Sequence, residues 1–124
     1  MRDGKHVILC VDDDQNFLDT MREVLEASGY VMVEAGSAEQ GLRVYKESKP
    51  DLIIADLMME EIDAGANFVK ELKALGNQAP IYMASSVGDS LSMTADCATL
   101  GVEGILQKPI GSKTLLSLLE TNLK

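Results

Sequence analysis

Two short apolar runs, residues 6–11 (HVILCV) and 51–57 (DLIIADL), constrain the fold of this chain most. Each is too short for a helix, and neither has the apolar and polar alternation of a strand with one wet face. A continuous run of this length, rich in β-branched residues, predicts a strand covered on both sides, as in a parallel sheet with helices on each face. Both runs lead into aspartates: Asp12-Asp13-Asp14 follows the first, and Asp56 lies at the end of the second.

The rest of the chain supplies helices between such runs. Phe17, Leu18, Met21, Val24 and Leu25 recur on one helical face, and Ser28-Gly29 provides a left-handed stop before a second strand over 30–35. Ser37 and Gln40 have the spacing of a capping box ahead of Leu42 and Tyr45, and Pro50 closes that helix. Phe68, Val69, Leu72 and Leu75 repeat at helical spacing before Gly76, and 80–84 (PIYMA) reads as a fourth strand. A weaker helix over about 90–100, a short strand over 104–107 and a last helix capped by Ser112 complete five strand-helix units. Right-handed crossovers then put helices on both faces of one parallel sheet. No linker, repeat or low-complexity stretch interrupts the pattern, so residues 1–124 are expected to form one α/β domain.

Composition excludes several functions. No apolar run is long enough to span a bilayer, and no cleavage site follows the first residues, so a cytoplasmic protein without membrane contact is expected. Eleven basic against twenty acidic residues give a net charge of -9, which argues against direct nucleic-acid binding. Cys10 and Cys97 stand far apart in apolar company and read as buried free thiols.

In open sheets of this kind a ligand crevice forms at the carboxyl ends of the strands, where strand order reverses. Those ends are loaded here: Asp12 and Asp13 after strand one, Asp56 after strand three, Ser85 after strand four, and Lys108-Pro109 after strand five. Alone, an acidic triplet reads as a solvated turn or a helix cap, which is the reading given to Asp14. His6 is assigned no role beyond structure, and Glu60 and Glu61 read as a solvated loop. Convergence of the other residues on one rim changes the interpretation. Carboxylates about 4 to 6 Å apart repel by roughly 1 to 4 kcal/mol per pair, and a hard cation with oxygen ligands, magnesium, would offset that. Asp56 could then attack phosphorus to give an acyl phosphate, with Lys108 and the Ser85 hydroxyl on the phosphoryl oxygens. Pro109 is a candidate for a cis bond that aims Lys108 inward.

The segments VDDD (11–14), DLMM (56–59), MASS (83–86) and QKP (107–109), in that order across the whole chain, resemble the receiver domain of response regulators. The resemblance implies a flavodoxin-like (βα)5 three-layer sandwich whose five-stranded parallel sheet has the order 2-1-3-4-5. It implies Asp12 and Asp13 as the metal-binding acidic pair, a further metal contact from the Met58 backbone carbonyl, Asp56 as phosphoacceptor, Ser85 as switch hydroxyl and Lys108 as phosphate-binding lysine. Magnesium would be the cofactor, and a histidine kinase or phosphotransfer protein the donor. The chain ends soon after the last predicted helix, so output is expected through an effector protein bound at the fourth helix, fifth strand and fifth helix. The protein would be a monomer or a phosphorylation-dependent dimer, with 88–100 as the mobile part of that surface.

Three departures from the family pattern stand out. Ile105 occupies the place of the usual switch aromatic; the loop 59–64 lacks the common proline; and Met58 and Val87 are apolar where polar residues tune water attack, which predicts slow self-dephosphorylation. Two other readings compete. One is a receiver fold kept as a binding module. The other is an aspartyl phosphatase resembling haloacid dehalogenases with Asp12 as nucleophile, which Asn16 and the short chain disfavour.

Overall fold

A computed structural model describes residues 4–56, 64–85, 103–107 and 110–123. The elements follow in the order β1 (Val7–Val11), α1 (Gln15–Ala27), β2 (Val31–Ala35), α2 (Ala38–Ser48), β3 (Leu52–Asp56), α3 (Ala64–Ala74), β4 (Ile81–Ser85), β5 (Gly104–Gln107) and a C-terminal helix α4 (Ser112–Asn122). The five strands form one sheet in the order β2-β1-β3-β4-β5 with every pair parallel. This is the expected flavodoxin-like arrangement. The helix expected over about 90–100 lies outside the described residues.

Every residue of β1 and β3 is buried, and alternate residues serve opposite layers. Leu9, Val11, Ile53, Ala55, Ile81 and Met83 pack with Phe68, Val69 and Leu72 of α3, and α2 joins this layer through Leu42 and Tyr45. Ile8, Cys10, Leu52, Ile54, Ala84 and Leu106 pack on the other side with Leu18, Met21 and Leu25 of α1 and Leu115 and Leu119 of α4. The uniform apolar runs thus reflect burial on both faces, the reason strands in such sheets lack alternation.

Local chemistry sets the helix ends. Asp14 caps α1, its side chain accepting from the Asn16 N–H at 3.0 Å. At the other end Gly29 takes φ 88, the Gly29 N–H donates to the Glu26 carbonyl, and the Tyr30 N–H donates to the Leu25 carbonyl at 3.0 Å. That pattern needs a left-handed residue, which glycine adopts without steric penalty. Ser37 caps α2 as expected, but the Gln40 side chain accepts the N–H of Gly36, one residue before the cap, at 2.8 Å. At the end of α2, Lys49 holds the left-handed conformation at φ 49. The last helix differs from expectation: Gly111 is its cap, without a side-chain bond, and Ser112 is its first residue.

A polar clasp joins α1 to β2. Arg22 donates from Nη2 to Glu34 Oε1 at 2.7 Å and from Nη1 to Glu26 Oε2 at 2.9 Å, while Gln15 Nε2 donates to Glu34 Oε2 at 3.0 Å. Hydrogen bonds from Arg22 and then Gln15 hold the Glu34 carboxyl below its usual range.

Candidate functional site

β1 and β3 are adjacent and parallel, with Val11 paired to Ala55, so the residues that follow, Asp12 and Asp56, emerge side by side at one rim of the sheet. This is also where strand order reverses, because β2 lies on one side of β1 and β3, β4 and β5 on the other. Asp56 pairs with Ala84 in β4. Ser85, the last residue of β4, pairs with Gln107, the last of β5. Of the expected rim, the backbone brings Asp12, Asp56 and Ser85 to the same end of the sheet.

Asp12 is fully buried and Asp56 nearly so, at 5% exposure. Asp12 is held twice: its N–H donates to the Ala35 carbonyl at 3.0 Å, and its Oδ1 accepts the Asp14 N–H at 2.9 Å. Asp13, next in sequence, faces solvent. One carboxylate oxygen from each of Asp12, Asp13 and Asp56 lies within 4.8 Å of the other two. At that separation the buried pair repels by roughly 1 to 3 kcal/mol between the dielectric limits of water and a protein surface, so the arrangement favours a cation.

The donor set defines which cation fits. Oxygen is the only donor element of the cluster, and two buried carboxylates with one at the solvent edge match a hard divalent ion such as magnesium, which keeps several water ligands. Among the described residues, no soft donor joins this cluster. Cys10 is buried in the layer of α1 and α4, and burial pushes its thiol up to about 12, so it stays protonated.

Ile105 sits in β5 opposite Met83. Met58, Val87, Lys108 and Pro109 lie outside the described residues. Sequence reasoning missed one polar cluster at the opposite pole. His6 Nδ1 lies 3.7 Å from Asp51 Oδ2, and the same carboxylate oxygen accepts the Val7 N–H at 2.8 Å. The only signal for it was that the two residues precede strands one and three, which the register then places together.

The chain resembles known proteins over most of its length. The family described as response regulator receiver domain matches residues 8–120. The chain is 34% identical over 119 residues to the chemotaxis protein CheY of Bacillus subtilis (strain 168), covering 95% of this chain and 98% of that protein. It is 32% identical over 117 residues to the transcriptional regulatory protein GlrR of Escherichia coli (strain K12), covering 94% of this chain but only 26% of that longer protein. Among solved structures, the chemotaxis protein CheY4 of Vibrio cholerae superposes with a TM-score of 0.87 at 26% identity, over 97% of this chain and 100% of that one.

Proposed function

The chain belongs to the response regulator receiver domain family and so has a phosphoacceptor role in two-component signalling; from that premise we propose that Asp56 is the residue that takes the phosphoryl group. The observation that carries this assignment is the meeting of Asp12, Asp13 and Asp56 oxygens within 4.8 Å, with Asp56 on the central strand β3.

A carboxylate oxygen of Asp56 attacks phosphorus of a phosphohistidine donor, forming the O–P bond of an acyl phosphate as the P–N bond breaks and the electron pair leaves on the donor imidazole. Asp12, Asp13 and Asp56 would hold magnesium, with the Met58 backbone carbonyl as a further ligand. The bound ion would screen carboxylate and phosphoryl charge so that the two can approach. Lys108 neutralises a phosphoryl oxygen and the Ser85 hydroxyl donates to another, and Pro109 orients the lysine. The chain thereby acts as a phosphoryl acceptor rather than as a turnover enzyme.

Residues 1–124 form the receiver unit. The donor is a histidine kinase or phosphotransfer protein in the cytoplasm. An effector protein reads the surface that includes β5 and α4; the helix expected beside them over about 90–100 lies outside the described residues. Ile105 stands where the family usually has a switch aromatic, so the usual aromatic signal is not available to this chain. With apolar Met58 and Val87 unable to orient water, the acyl phosphate hydrolyses slowly; a lifetime of seconds in magnesium would exclude that.

Asp14 disfavours the phosphatase alternative, because its carboxylate caps α1 and is thereby committed to the helix. The test is intact mass after incubation with magnesium and acetyl phosphate. One phosphoryl adduct in the wild type, dependent on magnesium and absent in Asp56→Asn, supports Asp56. An adduct that survives in the variant would shift the nucleophile to Asp12, and no adduct with any donor would favour a binding module.

A further inference from the structure

Gly41 is the fourth residue of α2 and is buried, although glycine within a helix is less stable than alanine by about 1 kcal/mol. Its environment supplies the reason. A Cβ at position 41 would lie 3.0 Å from Cγ2 of Val11, 3.0 Å from Cε1 of Phe68 and 3.2 Å from its Cζ, well inside the roughly 3.5 to 4.0 Å of ordinary carbon contact. Three elements therefore meet at this missing methyl: α2, the carboxyl end of β1 and the helix α3.

Neither neighbour is free to yield. Phe68 is 1% exposed, although it borders a groove of about 230 Å³ between α2 and α3, lined also by Ala38, Glu39, Leu42 and Glu71. Val11 is β-branched and stiff at χ1, is 1% exposed, and is paired on both sides, to Ala35 and Ala55. Its Cγ2 cannot swing away from α2 without the backbone following. The next residue in the chain is Asp12.

We propose that Gly41 is a positioning residue for the acidic site: by letting α2 and Phe68 seat against Val11 it sets where β1 ends, and hence where Asp12 presents its carboxylate. The proposal rests on the reading of Asp12, Asp13 and Asp56 as the metal-supported acceptor site. A methyl at position 41 pushes the end of β1 out of line with β3, which separates the carboxylates of Asp12 and Asp56. Loss of metal affinity, beyond any loss of stability, is the signature that distinguishes positioning from packing.

The experiment measures magnesium affinity by calorimetry and stability by urea unfolding for four proteins: wild type, Gly41→Ala, the double variant Gly41→Ala/Phe68→Leu, and Leu119→Val as a control weakened from the opposite layer. Gly41→Ala is expected to weaken magnesium binding roughly tenfold, the low end for lost support of a metal ligand. Leu119→Val should keep the wild-type affinity. The double variant gives α2 room to move off Val11 and should recover most of the lost affinity, which keeps the test alive should Gly41→Ala fold poorly. Reduced stability with unchanged magnesium affinity in Gly41→Ala, or equal weakening in Leu119→Val, overturns the proposal. A wild type that binds no magnesium overturns the site reading itself, and the proposal with it.

Discussion

The backbone N–H of Asp14 donates to Oδ1 of Asp12 at 2.9 Å, so the residue that caps α1 also orients the buried carboxylate two positions before it. The turn between β1 and α1 is thus held by two alternate aspartates, Asp12 and Asp14, each accepting an N–H two residues ahead of it. The helix cap and the acidic site share one piece of backbone.

Removing the cap while keeping that backbone separates the two roles. Asp14→Ala is expected to lower stability by about 1 kcal/mol through the lost bond to the Asn16 N–H, and Asp14→Asn to lose only a few tenths. Urea unfolding checks both.

Magnesium should stabilise the folded chain by linkage, about 1.4 kcal/mol at ten times its dissociation constant. Asp13→Asn removes a solvent-edge carboxylate from the cluster; it should melt higher than wild type in the presence of chelator and gain less from added magnesium. Thermal melts with and without the ion test the two halves of the expectation.

The Arg22 clasp predicts an acid limb of stability. The Glu34 carboxyl is held below its reference value of 4.5 by Arg22 and Gln15. A depressed folded value means stabilisation that is present above the unfolded value and lost as pH falls through the folded one. The stability advantage of wild type over Glu34→Gln should therefore hold at pH 7 and shrink below about pH 4.5, as followed by urea unfolding across pH.

Cys10 should be silent toward thiol reagents. With its thiol pushed up to about 12 by burial, roughly one part in ten thousand is thiolate at pH 8. In a Cys97→Ser background, labelling by a disulfide reagent should occur only on unfolding. Because the folded value is raised, the thiol also contributes stability below its unfolded value of about 9 that is lost as pH rises toward 12.

What was legible in the sequence follows from the range of the interaction. The strands could be read because burial on both faces imprints a continuous apolar run, and Asp14 could be read as a cap because its bond spans two residues. The rim was legible because parallel strands bring their carboxyl ends together whatever the register in detail. Gly111 in place of Ser112 as the last cap is a one-residue shift, the ordinary uncertainty of helix ends. The Gln40 bond to Gly36 depends on how the chain enters the helix rather than on residue spacing. The His6 and Asp51 pair spans most of two strand-helix units, and the tight seat at Gly41 depends on how closely α2 meets Phe68 and Val11. Neither has a local pattern to announce it.

The complete burial of β1 and β3 also has an evolutionary side. These two strands offer no outward position on which a partner could select, so new recognition must be written elsewhere while β1 and β3 stay under packing constraint. A lineage can therefore rewire whom such a protein answers to by drift on its outer surface, with the acidic rim inherited intact.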